Sequence, residues 1–237
     1  MTSERQHRDE IVRYGRKLHE RFFVAATDGN LSVRMDDGTV LCSPTCVSKG
    51  MMDHDDLVIV DMAGHKIRGH RAPSSEIAMH LLVYRLRPDV NAVVHAHPPT
   101  ATGYAAAGLA LTQPLVSEIV ITLGSVPLAP YATPGTRELC DSLAPLIPGH
   151  DAILMANHGV VSYGEDLSCA YMKMETVEHF AKIALVTHTL GKQQPLSQAD
   201  VDKLIVVREQ YLANAAAKRP AAAAAAEPAP AVSSEKC

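Results

Sequence analysis

Short runs of β-branched and aliphatic residues, each closed by glycine, proline or paired acids, alternate with longer stretches of helical period over residues 5–214. This alternation forces strands and helices to share one core, and the short hairpin-like gaps between early runs call for antiparallel neighbours. Residues 5–24 carry Ile11, Tyr14, Leu18 and Phe22 at helical spacing, and Gly29-Asn30 break that helix. Residues 31–34 read as a strand, and Asp36-Asp37-Gly38 turns it into 39–42 as a hairpin. Residues 57–61 form a third strand, with Gly64 in the turn after it. Pro73-Ser74-Ser75 is a helix-start signal for 76–87, Pro88-Asp89 ends that helix, and 92–97 is the next strand. Pro98-Pro99-Thr100 opens a short alanine-rich helix to Gly108. Further strands are expected over 126–131 and as a pair over 152–163, broken at Asn157-His158-Gly159. Helices are expected over 136–147, over 166–190 with Tyr171, Met174, Val177, Phe180, Ala181 and Leu185 on the inner stripe, and from Ser197 to about Asn214. The expected fold is α/β, with a partly antiparallel central sheet packed by helices on both sides.

With 237 residues, 47 % of them hydrophobic, the chain can bury one large core without a disulfide scaffold. Aromatics are only 4 %, with no Trp, so aliphatic side chains and Met must fill that core. Residues 1–217 read as one domain. From Lys218 onward the Ala/Pro-rich composition cannot support packing, so 218–237 is expected to be a disordered tail. A net charge of −4 leaves no basic footprint for nucleic acid, and an anionic substrate would need a local positive site. Cysteines at 42, 46, 140, 169 and 237 form no C-x-x-C pair, which favours free thiols in a reducing compartment. The N-terminus is charged and lacks an apolar h-region, and no run approaches eighteen apolar residues. A cytoplasmic location and no membrane partner are expected.

The chemistry concentrates in His95, His97 and His158. His95 and His97 stand two apart on an expected strand, so they leave the same face and can bind one metal. Pro98-Pro99 then turns the chain and opens the site. His158 lies at another strand break, in ANHGVV. Three neutral imidazoles would leave a coordination position open, as catalytic zinc sites need. The H-x-H spacing alone also fits two partly exposed histidines at a strand end, and twelve histidines dilute the signal. Glu76 reads equally as a first-turn acid complementing the helix dipole. Ser74 and Ser75 read as caps, or as hydroxyls at a helix start where a phosphate could sit. Gly29-Asn30 and Ser43-Pro44-Thr45 are further polar loops with backbone donors.

Together DGNLSVR, LCSPTCVSKG, RAPSSEIAMH, RPDVNAVVHAHPP, VPLAPYATPGTREL and ANHGVV resemble the class II aldolase/adducin family, in order and spacing from about residue 10 to 212, and within it the fuculose-phosphate aldolases. The resemblance implies a three-layer fold with a mostly antiparallel sheet. It makes His95, His97 and His158 ligands of Zn2+, with Mn2+ or Co2+ able to use the same donors. Glu76 becomes a fourth ligand in the resting state and the catalytic base once substrate displaces it. Asn30, Thr45, Cys46, Ser74 and Ser75 match the phosphate-binding loops. A homotetramer with interfacial active sites and a phosphorylated sugar as substrate are implied too. Retro-aldol cleavage of a ketose 1-phosphate needs a Lewis acid for the charge on the C2 oxygen, a carboxylate for the proton at C3 and a distant phosphate anchor for orientation.

Two positions depart from the family pattern. Cys46 stands where the family usually has Gly, so a left-handed turn there would strain its Cβ. In LTQPLVSEIVITLG the general-acid tyrosine of the fuculose-phosphate enzymes aligns near Glu118, a candidate to protonate the C4 oxygen or equally an interface charge. Tyr131 is read as structural, and Tyr211 as a residue that could shape the aldehyde end. Lys49 is read as a surface lysine, and Asp53, His54, Asp55 and Asp56 as a solvated turn. His65, His70 and His150 sit in loops. Related activities on the same site are 4-epimerisation of pentulose phosphates, dehydration of methylthioribulose phosphate and decarboxylation of sugar-acid phosphates. The epimerases typically carry Asp at the position of Glu76. Adducin-like interaction modules tend to lose the metal histidines, whereas this chain keeps all three.

Overall fold

In the computed structural model, residues 3–217 are described. Ser3 starts the first helix, α1 (Glu4–Glu20), as one half of a capping box, with its hydroxyl accepting the Gln6 N–H and the Gln6 side chain accepting the Ser3 N–H. Ile11, Tyr14 and Leu18 are buried on one stripe. Phe22 is not: it lies past the helix end at φ +59°, points outward at 79 % exposure, and Phe23 takes the buried place.

Eight strands follow, with the helices between them. They are β1 (Asn30–Arg34), β2 (Val40–Cys42), β3 (Val58–Val60), β4 (Lys66–Arg68), α2 (Ile77–Leu86), β5 (Ala92–Ala96), α3 (Pro99–Ala106), α4 (Ser117–Thr122), β6 (Leu128–Ala129), α5 (Arg137–Leu143), β7 (Ala152–Met155), β8 (Gly159–Gly164), α6 (Leu167–Thr189) and α7 (Gln198–Ala217). The sheet order is β4-β3-β2-β1-β5-β8-β7-β6. Every neighbouring pair is antiparallel except β6 with β7.

The edges account for what the sequence pattern hides. β4 is Lys-Ile-Arg, exposed throughout, so it has no apolar alternation, and its charges suit an edge that must not pair with another chain. The expected strand over 126–131 shrinks to two residues because Pro127 and Pro130 flank them without N–H donors. The helix expected over 136–147 stops at Leu143, and a 3-10 turn over Ile147–Gly149 follows. Burial along α6 ends at Ala184, which leaves Leu185 48 % exposed. The tail over 218–237, with Cys237, lies outside the described residues.

Strand alternation sorts the core into two halves. Ala92, Val94 and Ala96 of β5 face a cluster with α1, α3, α4 and α6, while Val93 faces a second cluster with α2 and α5. His95 shares the face of Val93, so it points toward the layer that carries α2. Asp151, just before β7, ties both layers to the sheet. Arg87 at the end of α2 donates to it at 3.0 Å, and Lys173 of α6 at 2.8 Å.

Asp151 titrates below the ordinary carboxylate value: burial works to raise it, and Lys173 and Arg87 outweigh that. The stability this contributes is present above the unfolded-state value of about 3.9 and is lost as pH falls through the lowered folded value. Asp151→Asn should therefore lower the unfolding free energy in urea by roughly 2 kcal/mol near neutrality. The gap to wild type should close as the solution is taken below about pH 4, and a gap that stays constant would contradict the assignment.

Candidate metal centre and active site

β1 and β5 pair with Asn30 opposite His95, and β5 and β8 pair with His95 opposite Val161. Three adjacent strands thus end at one spot. The turn Asn157-His158-Gly159 swings His158 into the same spot, helped by the left-handed φ of +55° at Asn157. Gly159 is required there: a Cβ would lie 2.4 Å from His97 Cδ2 and 2.7 Å from the Ala96 carbonyl. The ring centroids of His95, His97 and His158 are 4.7–5.2 Å apart, and one nitrogen from each lies within 4.8 Å of the others.

Hydrogen bonds orient these rings. His95 Nδ1 donates to the Val160 carbonyl at 2.9 Å, which leaves the Nε2 lone pair of the neutral ring facing inward. His97 Nδ1 lies 3.5 Å from an Asp28 carboxylate oxygen, and its Nε2 is 3.1 Å from His95 Nε2. Glu76, at the N-cap position of α2, closes the fourth side, with Oε2 3.3 Å from His95 Nε2 and Oε1 3.3 Å from His158 Nε2.

Burial pushes the His158 imidazole down to about 4, with His95 working the same way. Burial and His95 also lower His97. For His95 burial is outweighed by the Glu76 charge, and its value rises. Burial opposes ionisation of Glu76, but His95, His158 and the Asn30 amide hold its carboxyl well below the usual range. Glu76 is thus a carboxylate and His97 and His158 are unprotonated near neutrality, the states that metal ligation needs. Glu76 Oε1 and His158 Nδ1 are buried without a hydrogen-bond partner. An orphaned carboxylate oxygen facing imidazole nitrogens fits a divalent ion: three imidazoles can hold it, and the carboxylate can fill or vacate a fourth position.

The five expected phosphate ligands are gathered beside this cluster. Ser43 exchanges hydrogen bonds with Leu31, Pro44 bridges Pro73, and Thr45 N–H donates to Ala72 O, so the 43–46 and 72–75 loops are stitched together next to β1. Ser74 is buried and its Oγ accepts the Glu76 N–H, whereas Cys46 and Ser75 are exposed. Cys46 adopts φ +57°, the left-handed turn that the family's glycine would suit. The Asn30 side chain is engaged differently from the expectation: its amide donates to Glu76 Oε2 at 2.9 Å and its carbonyl bonds His80 Nε2. Glu118 sits exposed in the first turn of α4, and no hydrogen bond or ion pair joins it to Glu76 or the three histidines. Tyr131 is 62 % exposed, and the side chain of Tyr211 lies outside the described ones.

Lys49 is a correction. It is buried, not on the surface, and its Nζ donates to Thr27 O and Val47 O at 2.9 and 2.7 Å, pinning the loop before Asn30 to the loop after Cys46. Burial pushes this ammonium down to about 8. Asp56 is a second correction: it is buried and accepts from Asp53 N–H and from Arg71. Asp28 and His80 join the site without having been singled out. The i, i+4 spacing of Glu76 and His80 on one helix face was the only available signal for His80.

The family model of the Class II Aldolase and Adducin N-terminal domain matches residues 9–185. A 5-deoxy-D-ribulose 1-phosphate aldolase of Bacillus thuringiensis serovar kurstaki is 35 % identical over 206 residues, 86 % of this chain and 96 % of that protein. A 3-oxo-tetronate 4-phosphate decarboxylase of Pectobacterium atrosepticum is 36 % identical over 190 residues, covering 78 % and 87 %. Among solved structures, an L-fuculose 1-phosphate aldolase superposes with a TM-score of 0.81 at 32 % identity, covering 90 % of this chain and 98 % of the other.

Two outcomes follow from the geometry. Metal analysis after equilibrium dialysis should give one divalent ion per chain, abolished by His95→Ala and weakened at least about tenfold by Gly159→Ala. Cys46→Gly should raise the urea unfolding free energy by up to about 1 kcal/mol, because relief of the left-handed Cβ exceeds the entropy that glycine adds to the unfolded chain.

Proposed function

This chain belongs to the class II aldolase and adducin family as one of its carbon–carbon lyases, and from that premise we propose that it cleaves a ketose 1-phosphate to dihydroxyacetone phosphate and an aldehyde, with zinc as its metal. The observation that carries the reading is the Glu76 carboxylate 3.3 Å from both His95 Nε2 and His158 Nε2, with His97 Nε2 beside His95 and a stitched polar loop pair next to β1. A divalent ion held by His95, His97 and His158 supplies a Lewis acid for the negative charge that develops on the substrate C2 oxygen.

The remaining work falls to side chains. Thr45, the Cys46 backbone, Ser74 and Ser75 anchor the phosphate, so binding energy far from the reacting carbons orients C3 and C4. In the condensation direction Glu76 removes a proton from C3 of dihydroxyacetone phosphate, and in cleavage the protonated acid returns it after the C3–C4 bond has broken. The C4 hydroxyl loses its proton in cleavage, so a second group must take it. Glu118 is our candidate, reaching that end of the substrate from a neighbouring subunit of a homotetramer whose active sites lie between chains. A 5-deoxyribulose 1-phosphate would release acetaldehyde, a fuculose 1-phosphate lactaldehyde and a methylthioribulose 1-phosphate a thioether aldehyde. A cytoplasmic setting goes with this reading, and no helix among the described residues is long and apolar enough to cross a membrane.

A second reading is decarboxylation of a 3-oxo sugar-acid phosphate, favoured by the 36 % identity to the Pectobacterium decarboxylase. Loss of carbon dioxide from such a substrate also leaves charge on an enol oxygen, so the same donors would serve. Mass spectrometry of products from ketose 1-phosphates and a 3-oxo-tetronate 4-phosphate separates the two. We expect dihydroxyacetone phosphate from at least one ketose, with turnover lowered about 100-fold or more in Glu76→Gln. Carbon dioxide from the sugar acid with no dihydroxyacetone phosphate from any ketose would overturn the first reading for the second.

A further inference from the structure

From Glu76 a row of buried polar side chains runs through the layer between α2 and the sheet. Asn30 Nδ2 donates to Glu76 Oε2 at 2.9 Å, and the Asn30 carbonyl bonds His80 Nε2. His80 Nδ1 lies 2.7 Å from Ser32 Oγ, and Ser32 Oγ lies 2.6 Å from the Tyr84 hydroxyl. Asn30, Ser32, His80 and Tyr84 are all under 5 % exposed.

The chemistry of the two ends sets the direction of every bond. An ionised carboxylate only accepts, so Asn30 must present its NH2 and its carbonyl must then accept from His80. His80 therefore carries its proton on Nε2, and its bare Nδ1 must receive the Ser32 hydroxyl proton. Ser32 in turn accepts from Tyr84. One arrangement satisfies all five groups. A proton on Nδ1 alone would leave the bare Nε2 facing the Asn30 carbonyl, acceptor against acceptor, and an imidazolium would need the Ser32 hydroxyl turned from His80 toward Tyr84. Burial holds His80 neutral, with its value pushed down to about 3, and raises the Tyr84 hydroxyl far above its ordinary value.

Resting on the aldolase reading, we propose that His80 is a positioning residue: as the Nε2–H tautomer, held by Ser32 and Tyr84, it locks the Asn30 amide so that its NH2 aims the Glu76 carboxylate at the reacting carbon. The row is a brace and not a proton path, because Tyr84 at its far end is fully buried and has no outlet. Periodicity explains the parts. Glu76, His80 and Tyr84 stand four apart along α2, and Asn30 and Ser32 stand two apart on β1, so one helix face meets one strand face. Without His80 the Asn30 amide could turn over and set its carbonyl against the Glu76 oxygen, which would repel the carboxylate from its working position.

Two measurements test this, one of them independent of activity. Long-range proton–nitrogen correlation of histidine-labelled protein, with His80 assigned by its loss in His80→Gln, should show a neutral Nε2–H ring near pH 7. An Nδ1–H ring or an imidazolium would overturn the proposal whether or not the protein is an aldolase. In steady-state kinetics on the ketose phosphate that turns over, His80→Leu should lower kcat about 10- to 100-fold with KM within about twofold and the bound metal unchanged. His80→Gln, which can donate to Asn30 and accept from Ser32, should recover part of that loss. Should His80→Leu fail to fold, Tyr84→Phe keeps the ring volume and should show the same split on a smaller scale. Unchanged kcat in folded variants, or a loss that His80→Gln does not recover, would overturn the proposal. Absence of turnover by wild type on every ketose phosphate would instead count against the aldolase reading, and the nitrogen spectrum would still decide the brace.

Discussion

Lone pairs from three imidazoles and a carboxylate, crowded to 3.1–3.3 Å in a largely buried pocket, repel one another unless positive charge stands among them. Most of the polar architecture in this protein serves that convergence. The Val160 carbonyl fixes one ring, Asp28 backs another, and the Asn30 amide holds the carboxylate. Burial and His95 depress His97 and His158, and His95, His158 and Asn30 hold Glu76 ionised, so these three groups stand in the states from which they can donate to a cation.

The sheet makes the convergence possible at modest cost in chain entropy. β1, β5 and β8 are adjacent, so Asn30, His95 and the His158-Gly159 turn reach one end of the sheet through ordinary antiparallel pairing. Close approach is then a matter of missing side chains: a Cβ on Gly29 would meet Val24 and the His95 carbonyl, and one on Gly159 would meet His97. Lys49 adds a tie between the loop before Asn30 and the loop after Cys46. It spends its ammonium on the Thr27 and Val47 carbonyls, so it holds two loops together and has no free charge to offer.

The two layers of helices have different tasks. The α1/α3/α6 side carries most of the packing and buries the Glu178 carboxylate against the Thr100 and Ala101 N–H groups of α3, while the α2 side admits a row of buried polar groups behind Glu76. Buried polar rows destabilise a fold unless every member is satisfied. Here each finds a partner, and that satisfaction specifies a single orientation for Asn30. Arg87, Asp151 and Lys173 clamp the far end of the sheet, which keeps α2 and α6 in register on opposite faces.

Residue order alone revealed the alternation of strands and helices, the H-x-H pair at one strand end, although β5 stops at Ala96 and leaves His97 just past it, and the matched motifs that name the family, because strand period, turn chemistry and ligand type are local properties. It also flagged Cys46, since a left-handed turn tolerates Cβ poorly wherever it occurs, and φ there is +57°. Lys49 was misread because a lysine in a polar loop carries no local sign of the carbonyls that will enclose it. Asp56, Phe22 and Leu185 were misread for the related reason that burial depends on what arrives from elsewhere in the chain. The tautomer of His80, the role of Asn30 toward Glu76 and the approach of His158 to His95 join residues 46 to 63 positions apart, and only the folded chain could decide them, because hydrogen-bond direction is fixed by partners and not by spacing.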